Sequence, residues 1–280
     1  MGHCLVDQPD PYYWPFAASR RAAAHRTAAC GVGVKSRERI KTTTSLEYDI
    51  DGTHMDIVVR PPVMTPSTQT LLLARSIDHV DSATALDLGT GSGLLAILMA
   101  KRGARRVIAS DISSSATQLV ASNAARNLVA RTVHPVQADM LTAFTRNRFD
   151  LIVCNPPSTP AASPNGLRPN LYGGPSGRSH IEPLLRHAGS HLTLDGRLLL
   201  VHNSLANFPR SLELMEQQGL CWRELSSVRA PFRDEYYRQM AHLEKLRAEG
   251  AAEFTESGGC CSLTLSVLEV RWPATGSSSA

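Results

Sequence analysis

The sequence predicts an α/β fold, an open and mostly parallel sheet covered by helices on both faces, and three observations carry that expectation. Short apolar runs recur at 84–88, 106–110, 132–137, 149–154 and 197–202. Helix-length segments at about 92–102, 114–127, 179–192 and 207–218 fall between most of them, the alternation that a strand–helix–strand sheet requires. A chain of 280 residues, 42% of them hydrophobic, is long enough to bury the core of such a sheet.

Residues 1–45 read as an N-terminal extension. They hold a proline-interrupted aromatic cluster, Pro11-Tyr12-Tyr13-Trp14-Pro15-Phe16, and an Ala/Arg-rich stretch from Ala17 to Ala29 with helix propensity. From Leu46 to Val59, alternating apolar residues flank Asp51-Gly52, a dipeptide suited to a two-residue hairpin turn. Thr65-Pro66-Ser67 then opens a helix over Gln69–Ala74, with Ser67 or Thr65 as its cap. Past the strand–helix alternation, Trp222–Val228 and Cys261–Val270 read as two further strands joined by a charged helix at roughly 233–249. The main domain spans 46–272. Residues 273–280 form a Ser/Gly-rich tail of disordered composition.

Composition excludes several classes. Charged residues make up 19% of the chain, and 29 Lys and Arg against 25 Asp and Glu give a net charge of only +4. The basic residues are scattered, so a nucleic-acid partner is not expected. No uninterrupted apolar run is long enough to span a bilayer, and no basic segment precedes an apolar core at the start, so the expectation is a cytoplasmic protein without membrane attachment. The cysteines are Cys4, Cys30, Cys154, Cys221, Cys260 and Cys261. They make no C-x-x-C pair or zinc-ligand spacing with histidine, so reduced thiols and no metal are expected.

The chemistry concentrates in two motifs. In the first, Ala85-Leu86-Asp87-Leu88-Gly89-Thr90-Gly91-Ser92-Gly93, a strand ending in Asp87 runs into a glycine loop and then the apolar helix Leu94-Leu95-Ala96-Ile97-Leu98. Glycines let the backbone turn sharply and bring a ligand against exposed N–H groups. A nicotinamide loop reads G-x-G-x-x-G; here the third glycine comes one residue early, which disfavours a dinucleotide and suits a cofactor that carries no phosphate. The next strand ends in Asp111, where a carboxylate can accept both ribose hydroxyls; the alternative is that Asp111 caps the helix from Ser113 onward. After the third strand, Asp139 and Met140 sit where an adenine ring would lie, Asp139 accepting its amine and Met140 packing on its face; an ordinary strand-end turn is the other reading.

The second motif follows the buried-strand run Phe149–Cys154. Asn155-Pro156-Pro157-Ser158 stands at a strand's carboxyl end, where open α/β sheets bind ligands. Two prolines fix φ and remove two donors, so the loop presents carbonyls. The Asn155 side chain and the Pro156 carbonyl can then accept from an N–H₂ group and aim its nitrogen at an electrophilic carbon.

These motifs resemble the class I S-adenosylmethionine-dependent methyltransferases, and among them the HemK-like amino-nitrogen methyltransferases. The family pattern is D-x-G-x-G-S-G, an acidic residue after the second strand, N-P-P-Y, G-G-x-x-G, and L-x-x-x-G. This chain has Asp87 to Gly93, Asp111, Asn155-Pro156-Pro157, Gly173-Gly174-Pro175-Ser176-Gly177-Arg178, and Leu194-Asp195-Gly196-Arg197-Leu198. Val63-Met64-Thr65-Pro66-Ser67 is similar to the family's stretch before the domain. The resemblance covers about 46–270. It implies a Rossmann-like sheet of seven mostly parallel strands and S-adenosyl-L-methionine as cofactor. The cofactor would be held by Asp87, Gly89, Thr90, Gly91, Gly93, Asp111, Ile112, Asp139, Met140 and Asn155. It also implies methyl transfer at Asn155, Pro156 and Pro157, with the acceptor against Thr65, Pro66, Ser158 and Tyr172.

The chain departs from the pattern twice. Ser158 stands where the family carries an aromatic residue, so Tyr12, Tyr13, Trp14, Phe16 or Tyr172 would supply that wall. Residues 1–45 are too short and proline-broken for the helical bundle with which bacterial HemK-like enzymes grip release factors, which suggests a lid or recognition segment instead. Both departures lead the sequence to favour a free amino acid, a guanidine or another small biosynthetic intermediate as acceptor. A glutamine or lysine of a translation factor, a nucleic-acid base, and a non-catalytic cofactor-binding subunit are the alternatives. His180, Glu182 and His202 are candidates for taking the proton; Glu182 and Asp49 are candidates for contacting a cationic acceptor.

Overall fold

Asp51 and Gly52, with φ of 51° and 81°, make the tight turn that their residue types favour. They join β1 (Thr44–Ile50) to β2 (Thr53–Val59) in an antiparallel hairpin. The structure is a computed structural model, and it describes residues 43–146 and 148–273. The aromatic cluster at 11–16, the Ala/Arg-rich stretch and the tail beyond Pro273 lie outside the described residues. Helix α1 (Thr68–Arg75) follows the hairpin, and Ser67 rather than Thr65 is its cap. Ser67 Oγ accepts from the Thr70 N–H and Thr70 Oγ1 accepts from the Ser67 N–H, both at 3.3 Å, a reciprocal capping box.

The main sheet then assembles from β3 (Thr84–Leu88), β4 (Arg106–Asp111), β5 (Val133–Gln137), β6 (Phe149–Cys154), β7 (Leu192–Asn203), β8 (Cys221–Pro231), β9 (Thr255–Ser257) and β10 (Cys260–Arg271). The helices between them are α2 (Leu94–Lys101), α3 (Ser114–Arg126), α4 (Ile181–His191), α5 (Phe208–Gln217), α6 (Asp234–Tyr237) and α7 (Met240–Ala248). Strand order is β5-β4-β3-β6-β7-β10-β8, with β9 paired to β10 off this path. Pairing is parallel from β5 through β7 and antiparallel where β10 meets β7, β8 and β9. The seven strands implied by the resemblance are present. β9, a short strand that no apolar run announced, is an eighth.

Successive residues of the central strands enter opposite cores, as the period of two dictates. Ala85, Leu151 and Val153 face a core shared with α1, α2 and the hairpin, while Leu86, Ile152 and Cys154 face one shared with α4 and α5. Burial on both faces explains why these strands read as continuous apolar runs. The charged segment at 233–249 forms α6 and α7 rather than one helix. The break follows two anchored tyrosines: Tyr236 is buried against Phe232, and the Tyr237 hydroxyl accepts from the Cys261 N–H at 2.9 Å.

The chain winds outward from β3 through β4 to β5, then returns to lay β6 on the other side of β3. Loops leaving β3 and β6 therefore diverge around a crevice at the strands' carboxyl ends, the place where sheets of this kind bind ligands. Leu88 and Cys154, the last residues of the two strands, are register partners. The glycine loop and Asn155-Pro156-Pro157 thus leave the sheet side by side.

Candidate active site

Asp87 anchors the glycine loop from beneath. It is 1% exposed; its Oδ2 accepts from Thr90 Oγ1 at 2.7 Å and from the Ala96 N–H at 3.1 Å, while Oδ1 is buried with no hydrogen-bond partner among the described residues. Burial pushes this carboxyl up to about 7, against the two hydrogen bonds and with a small push from Asp111. Such an orphaned buried oxygen fits a cation beside it.

Gly89, Gly91 and Gly93 have φ of 71°, 56° and 85°, a conformation that residues with side chains rarely adopt. A Cβ at Gly89 or Gly91 would meet nothing within 4 Å, whereas one at Gly93 would lie 3.1 Å from Val120 Cγ2. The first two glycines therefore open toward the crevice, and the third lets the start of α2 pack on α3. The Gly89 and Thr90 N–H groups donate to the Ser110 carbonyl at 2.8 and 2.9 Å, which ties the loop to β4.

Asp111 stands at the tip of β4, next to that loop. Its Oδ2 accepts from the Gly91 N–H at 3.0 Å and Oδ1 from the Ser113 N–H at 2.9 Å. The cap of α3 is Ser113, whose Oγ accepts from the Ala116 N–H, so Asp111 is not the helix cap. Ile112, beside it, is 68% exposed, a large apolar side chain facing solvent. The Ala138 N–H donates to the Asp111 carbonyl at 3.0 Å and brings the 139–142 turn alongside. Asp139 is exposed in that turn. Met140 adopts φ 46° and lines a cavity of about 280 Å³ with Phe144, Pro183, Leu184 and His187.

At the acceptor loop Pro156 is buried, and Asn155 and Pro157 are half-buried. Asn155 Nδ2 donates to Thr70 Oγ1 at 3.1 Å. Among the described residues nothing donates to Asn155 Oδ1 or to the Pro156 carbonyl, so both acceptors stay open. Ser158, expected to line the acceptor, is 7% exposed and turned inward: Asn203 Nδ2 donates to its Oγ at 2.7 Å and to its carbonyl at 3.1 Å. The glycine-rich loop closes tightly on it. A Cβ at Gly173 would lie 2.6 Å from Ser158 Cα, and one at Gly177 2.8 Å from its carbonyl oxygen. Tyr172 is half-buried and pairs with Thr159 in an isolated bridge. Thr65 is half-buried and Pro66 buried ahead of the α1 cap.

The candidate proton acceptors have other duties. His202 is 1% exposed and pushed down to about 3 by burial and by Arg178; it lies against Ser211 Oγ and the Asn203 carbonyl. Glu182 pairs with Arg186 at 2.6 Å and Arg178 at 3.5 Å, which holds its carboxyl below the usual range. His180 is the cap position ahead of α4, and its side chain makes no cap bond among the described residues. Asp49 serves the hairpin, accepting from the Gly52 N–H at 2.9 Å and pairing with His54 at 3.0 Å.

Sequence reasoning missed Thr70, Asn203 and the contacts that α6 and α7 make with the 159–177 loop. Arg168 Nη2 meets Glu235 Oε1 at 3.0 Å, and the Pro175 carbonyl lies 2.7 Å from His242 Nε2. These pairs are 67 residues apart in sequence, and no local pattern signals them.

The chain is similar to known proteins in sequence and in fold. Residues 66–219 match the model of the family described as Methyltransferase small domain. A Methanocaldococcus jannaschii protein with the provisional name protein N5-glutamine methyltransferase is 25% identical over 190 residues, 66% of this chain and 94% of that one. A release factor glutamine methyltransferase of Moorella thermoacetica is 31% identical over 194 residues. That alignment spans 65% of this chain and 64% of the relative, somewhat under two thirds of its length. Among solved structures, a T. thermophilus 16S rRNA N2 G1207 methyltransferase in complex with AdoMet and guanosine superposes with a TM-score of 0.55 at 18% identity. It covers 82% of this chain and 51% of that one, a likeness of fold.

Proposed function

The chain belongs to the methyltransferase small domain family, in the HemK-like group of S-adenosylmethionine-dependent enzymes, and on that premise we propose that it methylates the side-chain amide nitrogen of a glutamine in a protein substrate. Bound S-adenosylmethionine supplies a methyl group on a sulfonium sulfur. The residues present fit it: open glycines at 89 and 91, Asp111 at the next strand tip, and the unpartnered Asp87 Oδ1 for a cationic group. This set would hold the cofactor through close backbone approach rather than through phosphate contacts.

The observation that carries the reading is the pair of open acceptors, Asn155 Oδ1 and the Pro156 carbonyl, at a strand tip in register with the glycine loop. An amide N–H₂ offers two donors and matches two acceptors. An amide nitrogen is a poor nucleophile, so catalysis rests on orientation: both N–H bonds are held and the nitrogen is aimed along the line of displacement. Transfer would replace one amide proton by the methyl group, the sulfonium leaving as a thioether and the proton passing to water, while Asn155 and the Pro156 carbonyl hold the nitrogen in place.

The sequence by itself favoured a smaller acceptor on two grounds, the missing aromatic residue at position 158 and the short, proline-broken residues 1–45. The first carries less weight once Ser158 is turned inward and clamped by Asn203, and the second lies almost wholly outside the described residues. The relative's name favours a protein glutamine instead.

The test is to incubate the protein with methyl-labelled cofactor and either a purified bacterial release factor, free glutamine, free arginine or RNA. Label on a release-factor glutamine, located by peptide mass spectrometry, is the expected result. Label on a free amino acid or on RNA, with none on protein, would reject the proposal.

A further inference from the structure

The side chain that would receive the acceptor amide is itself held by another element. Asn155 Nδ2 donates to Thr70 Oγ1 at 3.1 Å, a bond that joins the tip of β6 to the first turn of α1. Thr70 Oγ1 also accepts from the Ser67 N–H at 3.3 Å and lies 3.2 Å from Ser67 Oγ. A hydroxyl has two lone pairs and one proton. With Ser67 N–H and Asn155 Nδ2–H on the lone pairs, the proton goes to Ser67 Oγ, and the Thr70 oxygen is fully used.

This matters because the two ends of an asparagine amide are nearly the same shape, and rotation about its terminal torsion is soft. At Asn155 one end faces α1 and the other is left for the crevice. An acceptor on α1 draws the N–H₂ end toward itself and leaves Oδ1 outward. The opposite orientation would put a donor against the donors of an incoming amide. We propose that Thr70 is a positioning residue for methyl transfer: its hydroxyl fixes the Asn155 amide with the carbonyl oxygen toward the acceptor nitrogen. The α1 capping box thereby does a second job, coupling the start of α1 to the acceptor loop. The proposal rests on the amide-nitrogen reading above.

The test compares Thr70→Val, which keeps the shape but loses the oxygen, with Thr70→Ser, which restores it. On a bacterial release factor, Thr70→Val is expected to lower kcat by roughly 10- to 100-fold, the scale of a small misplacement at a reacting centre. S-adenosylhomocysteine affinity should stay within about twofold, and Thr70→Ser should recover most of kcat. A double substitution separates positioning from simple loosening of α1. In the Asn155→Ala background, Thr70→Val should cost nothing further, because Thr70 acts only through Asn155. A further multiplicative loss there would overturn the proposal, as would a Thr70→Val enzyme with unchanged kcat. A readout that needs no acceptor is the Asn155 side-chain N–H₂ resonance pair in labelled protein, assigned by its loss in Asn155→Ala. The pair should move in Thr70→Val and return in Thr70→Ser. If release factor takes no label, the glutamine reading fails, and an unmoved pair would still refute the Thr70 assignment by itself.

Discussion

At the scale of single residues, Asp87 is a fully buried carboxyl beside the glycine loop. Its carboxyl sits at about 7 instead of 3.8, so the folded state holds this proton more tightly than the unfolded state. The stability that this proton contributes is fully present below about 4 and is lost as pH rises through 7. Asp87→Asn removes the dependence, so its melting temperature relative to wild type should climb between pH 5 and 8. A melting-temperature difference that is flat in pH would contradict the assignment. A bound cofactor would place a cation in the crevice and favour the ionised carboxylate, so S-adenosylmethionine affinity should increase with pH up to about 7, with proton release on binding read by calorimetry in two buffers. Asp111 and Asn155 should separate cleanly. Asp111→Ala strips acceptors from the Gly91 and Ser113 N–H groups and should weaken cofactor binding at least tenfold. Asn155→Ala should leave that affinity within about twofold and remove nearly all turnover.

At the scale of elements, polar side chains join the hairpin to the domain. Asn123, fully buried, donates to the Val58 carbonyl at 2.9 Å and the Ser92 carbonyl at 2.8 Å, and it accepts from the Val58 N–H at 3.0 Å. One turn later Asn127 repeats the pattern on Asp56, donating at 2.7 Å and accepting at 3.1 Å. Two amides at helical spacing thus take the place of a neighbouring strand along β2. Because Asn123 also grips Ser92, the hairpin is linked to the glycine loop. Asn123→Ala would leave the Ser92 carbonyl and the part-buried Val58 N–H and carbonyl without these partners. At about 1–3 kcal/mol for a fully buried orphan group, and less where water reaches Val58, the cost by denaturant unfolding should be roughly 2–4 kcal/mol. Arg126→Ala, which breaks an exposed pair with Asp56, should be nearly neutral. The hairpin turn and the Ser67 cap could be read locally, since Asp-Gly and Ser suit those backbone conformations by themselves. The Asn123–Val58 bond, 65 residues apart in sequence, could not.

At the scale of the whole molecule, one sheet separates two cores, and neighbouring residues of β6 test them independently. Ile152 and Val153 are both fully buried but face opposite sides. Ile152→Ala should cost roughly 2–5 kcal/mol, and Val153→Ala somewhat less, because fewer methyl groups leave a smaller cavity. Both cores share the same backbone ladder, so each variant should still unfold in a single transition, with fluorescence and circular dichroism midpoints coinciding. Two separate transitions would mean that the faces fold independently.

Much of this protein followed from the sequence alone. Continuous apolar runs, the early third glycine and the doubled proline after Asn155 specify a parallel sheet and a phosphate-free cofactor loop, because burial on two faces, positive φ and lost N–H donors are demands made on individual residues. Those demands are local, so they can be read locally. Tertiary structure decided the rest. Only the folded chain brings Leu88 beside Cys154, turns Ser158 inward onto Asn203 and sets Thr70 against Asn155, since each depends on a side chain delivered from a distant element. The sheet fixes where the reaction can happen, and the long-range hydrogen bonds fix which atoms face it.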